Sequence, residues 1–341
     1  MKKKILFLLA IVAVLIAVGA AAFGYFRILA DEQRIVDNAL NENSPSIALG
    51  TLDGAYIAEI RLLAIAGNTS ALTVLGARYQ YGLGLPVNPT LMLRNYHAAA
   101  QKGAPTAQLM LGRLYDPYRF YDFMTIIYTE SSVYDVIKSE SGEILLKTDS
   151  SDAKSWYRRA ADQGNSSAMV MLGMLYEKEE RMADSNIVTA AKWFQRAAEC
   201  GNREGQLRIG QMYVGDYGVS KDEDKGIAWL KKAAAQGSVE AELDLGMEYE
   251  NGHAMIRDSQ NAAKWYLLAA QHGNPFAQRN IGLFYAKGVG VPRDYVAAYL
   301  WLNKAAAQGA PYAAEARDVL ESIMTPSQLE KAQLKVLKND G

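Results

Sequence analysis

AQRNIGLFYAKGVGVPRDYVAAYLWLNKAAAQG, residues 277–309, decides the architecture, because most of the chain after residue 70 is an imperfect copy of it. The pairs Leu75-Gly76, Leu111-Gly112, Leu172-Gly173, Ile209-Gly210, Leu245-Gly246 and Ile281-Gly282 set their glycines 36, 61, 37, 36 and 36 residues apart. An Ala-Ala-x-x-Gly ending closes at Gly103, Gly164, Gly201, Gly237, Gly273 and Gly309 with spacings of 61, 37, 36, 36 and 36. Two independent markers give one register, broken once. A helical period in this range predicts a stacked solenoid, since one helical hairpin cannot bury its own apolar face.

Within the stretch, Ala277, Ile281, Phe284 and Tyr285 share one helical face, and Ala298, Trp301, Leu302, Ala305 and Ala306 share another. Gly309 suits a left-handed C-cap. The glycine after each Leu or Ile sits mid-helix, where it costs roughly 1 kcal/mol against alanine. A cost that recurs in register predicts close helix approach. Trp156, Trp193, Trp229, Trp265 and Trp301 all stand eight residues before a closing glycine, which reads as inter-helix core rather than a sugar or cofactor platform.

These residues resemble the Sel1-like repeat family, with its A-x-x-x-L-G-x-x-Y helix, G-x-G-V turn and K-A-x-x-W-Y-x-x-A-A-x-x-G helix. The resemblance covers about 240 residues and implies an all-α fold: an α/α solenoid superhelix of tetratricopeptide-like hairpins that binds other proteins. It does not imply an enzyme. Residues 56–324 form the expected solenoid. The first copy departs from the pattern, with Asn95 at the tryptophan position and Pro86 and Pro89 in its turn, as terminal units do. Residues 56–66 read as an unpaired second helix capping one end. At the other end Thr325-Pro326-Ser327-Gln328 is a helix start with a capping box, opening a capping helix over 325–341 with Leu329, Ala332 and Val336 inward.

Lys2, Lys3 and Lys4 precede an apolar run over residues 5–26, closed by Arg27. Its 22 residues match the roughly 20 that span a bilayer. Residues 1–27 are therefore expected to be an N-terminal membrane anchor, with a cleaved signal peptide as the alternative. The lysines stay cytoplasmic, which places the body on the periplasmic side of a bacterial inner membrane, or free in the periplasm if cleavage occurs. Residues 28–55 read as a linker and leading helix. The net charge of −1 argues against a nucleic-acid partner.

The 61-residue spacing leaves 25 extra residues in the second copy. The segment that holds them together with the repeat's own turn, residues 116–150, carries Tyr118, Phe120, Tyr121, Phe123, Tyr128 and Tyr134 and a net charge of −4. Residues 133–138 and 143–147 are β-rich runs around Ser139-Glu140-Ser141-Gly142, which predicts a small inserted β-hairpin. We expect an arm that projects from the stack and suits a basic partner surface.

No catalytic, cofactor-binding or metal constellation stands out. His97, His253 and His272 lack ligand neighbours at metal spacing. Gly82-Leu83-Gly84 and Gly288-Val289-Gly290 follow no strand and read as turns. Asn68-Thr69-Ser70 and Asn165-Ser166-Ser167 match a glycosylation pattern but open helices, so capping accounts for them. Cys200 has no partner for an internal disulfide. Counting from the repeat alanine, the third, fourth and seventh residues of each later first helix point away from the packed face. They include Val170 and Met174, Leu243 and Met247, and Leu283, which form either a partner-binding groove or additional core. The chain is thus expected to be a non-catalytic, cofactor-free protein-interaction module that binds a partner through the concave groove and the 116–150 arm, serving as an envelope scaffold or adaptor. The alternative, implied by resemblance to exported Sel1-like proteins, is an immunity protein that neutralises an antibacterial type VI secretion phospholipase.

Overall fold

The structure, a computed structural model, describes residues 54–118, 136–139, 141–179, 184–252 and 257–339. The expected N-terminal anchor, the leading helix, His253 and the aromatic residues Phe120, Tyr121, Phe123, Tyr128 and Tyr134 lie outside them. Fifteen α-helices and one two-stranded sheet are present among the described residues. The chain divides into two compact units at Leu175 and Tyr176.

The N-terminal unit holds α1 (Gly54–Ile65), α2 (Thr69–Tyr81), α3 (Pro89–Gln101), α4 (Pro105–Tyr115), β1 (Val136–Lys138), β2 (Ile144–Lys147), α5 (Ser150–Asp162) and the first part of α6 (Ser166–Glu179). The C-terminal unit holds the end of α6, then α7 (Asp184–Glu199), α8 (Arg203–Gly215), α9 (Glu223–Ala235), α10 (Val239–Asn251), α11 (Ser259–Gln271), α12 (Pro275–Lys287), α13 (Tyr295–Ala307), α14 (Ala313–Ile323) and α15 (Pro326–Asn339). Within each unit, first and second helices of a repeat pair as α2/α3, α4/α5, α8/α9, α10/α11 and α12/α13.

Local chemistry sets the boundaries. Asn68, Asn165, Asn202 and Asn274 each accept the backbone N–H three residues on at 2.9–3.0 Å, which explains both apparent glycosylation patterns as N-caps. Second helices use Asp149, Asp222, Asp258 and Asp294 in the same role. Gly309 has φ of 74°, and the Ala310 N–H reaches back to the Ala305 carbonyl at 2.9 Å, as a Schellman closure requires. The C-terminal capping box is present: Thr325 N–H donates to Gln328 Oε1 at 3.0 Å and Gln328 N–H to Thr325 Oγ1 at 3.3 Å.

The mid-helix glycines are seats for the second helix. A Cβ on Gly112 would stand 2.3 Å from the Tyr157 ring, and one on Gly246 2.4 Å from the Tyr266 ring. The ring in the seat is the residue after the repeat tryptophan. The tryptophan itself is half-buried in four of five copies and buried in the fifth, Trp193 at 8% exposure. Trp265 packs on the Leu207, Leu230 and Leu245 cluster as well as its own repeat, so it joins neighbouring repeats.

The insertion sits inside a turn. In uninterrupted repeats the N-cap N–H of the second helix donates to the last tyrosine carbonyl of the first: Asp258 to Tyr249 and Asp294 to Tyr285, both at 2.9 Å. Asp149 makes the same bond to Tyr115 at 2.8 Å across the insertion. β1 and β2 pair antiparallel, with Ile137 opposite Leu146. Both are buried, in one core cluster with Val74, Met110 and Leu114. The described part of the insertion is therefore packed on the N-terminal unit and does not project, because its cross-strand apolar pair needs a surface to bury against.

Candidate functional site

The positions that point away from the packed face behave differently in the two units. In the N-terminal unit α2 and α6 close them, while Arg113 of α4 is half-buried. Every residue of α2 from Ala71 to Gln80 is buried, and so is every residue of α6 from Ala168 to Leu175. Val170, Met171 and Met174 are only 4–5% exposed, so of the two readings of this position, groove or additional core, Val170 and Met174 are core and not partner-binding. A helix apolar on all sides is an interior helix, and α6 carries methionine, valine or leucine around its circumference.

In the C-terminal unit the same register is more open, although Leu207 of α8 is buried. α8, α10 and α12 bury one face through Leu207 and Ile209, Ala241 and Leu245, and Ala277 and Ile281. Their other face presents Arg208 and Gln211, then Leu243, Asp244 and Met247, then Arg279, Asn280 and Leu283. Met247 is the most open apolar member at 41% exposure. Leu243 and Leu283 are half-buried against the core clusters of their repeats. Tyr118, the one described aromatic of the insertion, is exposed, and its N–H donates to Asp116 Oδ1 at 2.9 Å.

Polar bonds order this open face. Gln211 Nε2 donates to Asp244 Oδ2 at 2.8 Å, tying α8 to α10. Burial pushes the Asp244 carboxyl above its usual range against the lowering effect of that bond, and Glu240 adds to the rise while Arg208 opposes it. Arg208 ion-pairs with Glu204 at 2.7 Å. Arg279 donates to Asn280 Oδ1 and to the Pro311 carbonyl. Beneath the face, the Tyr266 hydroxyl donates to Glu250 Oε2 at 2.7 Å, and burial first, then that carboxylate, hold the phenol far above its usual pKa.

Sequence reading missed a second ladder. Gln236 donates to Gln206 Oε1 at 2.8 Å and Gln308 to Gln278 Oε1 at 2.9 Å, linking the two helices of a repeat. Gln206 and Gln278 then donate to the Ala198 and Ala270 carbonyls of the preceding repeat. In the repeat between them, buried Glu242 and His272 Nδ1 stand in for the glutamine pair at 2.8 Å. The signal was present in sequence as a residue following the repeat alanine and another preceding the closing glycine. His97 lies edge-on to Tyr115 and Trp156, and burial lowers its pKa. Cys200 is exposed. Among the described residues, no three His, Cys, Asp or Glu side chains converge on a common centre.

A cleft of about 540 Å³ lies between turns and is lined by Arg257, Asp258, Gln260, Gly288, Gly290 and Pro292. Gly290, at φ 67°, approaches the Ser259 carbonyl so closely that a Cβ would overlap it. The glycine run is thus a tight turn, and the Asp258 carboxylate in the cleft is occupied capping α11.

The fold has solved counterparts. A Sel1 repeat protein from Oxalobacter formigenes is 25% identical with a TM-score of 0.55, covering 73% of this chain and 96% of that one. A protective antigen of uropathogenic Escherichia coli with an SLR fold is 25% identical, TM-score 0.36, covering 82% and 70%. An immunity protein from Pseudomonas aeruginosa is 17% identical, TM-score 0.37, covering 77% and 85%. The last two superpose too loosely to carry a functional comparison. No curated protein matches the chain significantly. The Sel1 repeat model matches residues 69–103, 140–165, 166–202, 203–238, 239–274 and 275–309, more than half of the sequence and in the register of the closing glycines, so the chain belongs to the Sel1 repeat family.

Proposed function

We propose that this chain is a non-catalytic protein-interaction module of a bacterial envelope that takes its partner on the open face of α8, α10 and α12. One observation carries the reading: the first helices of the C-terminal unit keep an exposed apolar residue, Met247, beside half-buried polar side chains. The corresponding positions of α2 and α6 are closed. An exposed methionine among ordered polar groups suits adaptable partner binding. The test is capture of envelope proteins on the full chain and on a Met247→Asp variant. A stoichiometric partner lost in the variant supports the reading, and one captured equally by both contradicts it.

The lysines and apolar run of residues 1–27 support an inner-membrane anchor with the repeats in the periplasm. Protease added to spheroplasts would then remove a tag placed after Gly341, and a protected tag would refute that placement. Two narrower roles fit: an adaptor for envelope assembly, or immunity against a type VI secretion phospholipase. The six aromatic residues of the acidic insertion favour a specific partner over a general scaffold. Capture of a single lipase would select immunity, and capture of several envelope-assembly proteins would select the adaptor.

A further inference from the structure

Asp244 sits in the middle of the open face, on the middle of its three helices, one turn before exposed Met247 and next to half-buried Leu243. Its hydrogen-bond partner is a neutral amide, Gln211 Nε2 at 2.8 Å. Among the described residues it has no salt bridge. The cation that acts on it, Arg208, opposes the rise in its pKa but is itself paired with Glu204 at 2.7 Å. A carboxylate partly removed from water without a salt-bridge partner is left only partly compensated. Burial already raises its pKa, and Glu240 on the same helix adds further negative potential.

From this geometry we infer that Asp244 is the anchor for a lysine or arginine of the partner, with Met247 and Leu243 forming the apolar shelf along which that residue's aliphatic stem lies. The inference rests on the partner-binding reading of the open face and specifies its chemistry. A cation docked at Oδ1 completes the charge that Gln211 and the already paired Arg208 leave only partly matched. A long basic side chain suits the site because it covers apolar surface with its methylenes and delivers charge only at its tip. A partner carboxylate at this position would meet both Asp244 and Glu240, which excludes acidic segments.

The test is selection of phage-displayed random dodecapeptides on the full chain in detergent, on Asp244→Asn and on Met247→Asp. Asparagine keeps the acceptor oxygen for Gln211 and removes only the charge, and circular dichroism checks each fold. The expected result is a wild-type pool enriched in Lys or Arg beside an apolar residue. A synthetic peptide from that pool should bind Asp244→Asn about tenfold or more weakly. Its Arg→Gln or Lys→Gln version should bind both proteins alike. Peptides that lack a basic residue, or that bind Asp244→Asn equally while losing affinity for Met247→Asp, overturn the anchor but leave the open face as the binding surface. Peptides indifferent to Met247→Asp overturn the partner-binding reading itself.

Discussion

Asp149 donates its backbone N–H to the Tyr115 carbonyl at 2.8 Å, so the second repeat closes its turn with the bond used by uninterrupted repeats although 25 extra residues lie between the two partners. The chain tolerates the insertion because the repeat's own geometry is kept at its root. Asp116, fully buried, reinforces that root by accepting the Tyr157 hydroxyl at 3.0 Å.

The hairpin in that insertion is part of the core. Leu146 is 4% exposed, whereas Ile144 on the same strand is 60% exposed. Leu146→Ala should cost about 2–4 kcal/mol of unfolding free energy, and Ile144→Ala within about 0.5 kcal/mol. Urea denaturation measures both. Equal, small effects would show the hairpin to be a free arm.

The glycine seats make an opposite prediction to helix propensity. Gly246→Ala removes a poor helix former, yet its Cβ would lie 2.4 Å from the Tyr266 ring. Overpacking should win, destabilising by about 1–3 kcal/mol. Gly215→Ala, where nothing lies within 4 Å, should be neutral or stabilising by up to about 1 kcal/mol.

Alkaline stability should report on Tyr266. Its folded pKa is raised by burial and by the Glu250 carboxylate. An unfolded tyrosine titrates near pH 10. The stabilisation is therefore complete below about pH 10 and falls as pH rises toward the folded value, by at most about 1.4 kcal/mol per pH unit. Denaturation curves between pH 8 and 11.5 should show a shallower decline for Tyr266→Phe than for the wild type.

The Glu242–His272 pair replaces an amide ladder in one repeat only. Glu242→Gln restores a group able to donate toward the Ala234 carbonyl, as Gln206 does to Ala198 at 3.4 Å. It should leave stability unchanged or raise it by up to about 1 kcal/mol. Glu242→Ala should cost about 1–3 kcal/mol by leaving buried polar groups without partners.

Period, register and caps were legible from sequence because each rests on local spacing: glycines 36 or 37 apart in the uninterrupted copies, a polar residue after Gly164, Gly201, Gly237 and Gly273, the Thr325 and Gln328 box. The mid-helix glycines announced close approach but not its partner, since only the structure separates Tyr157 in the seat from Trp156 beside it. Met174 and Met247 occupy one repeat position and read alike in sequence. One is 5% and the other 41% exposed, because exposure depends on what packs over the helix, and spacing along one chain does not encode that. The hairpin's strands were visible as β-rich runs, while the burial of Ile137 and Leu146 required the tertiary fold.

The central claim is that a partner protein sits on the open face of α8, α10 and α12. Its most direct test is a photo-crosslinking amino acid placed at Met247 in the full chain in living cells, with a second copy of the probe at exposed Lys264 on α11. The account predicts a discrete adduct from position 247 and none from 264. An adduct from 264 with none from 247 would contradict it.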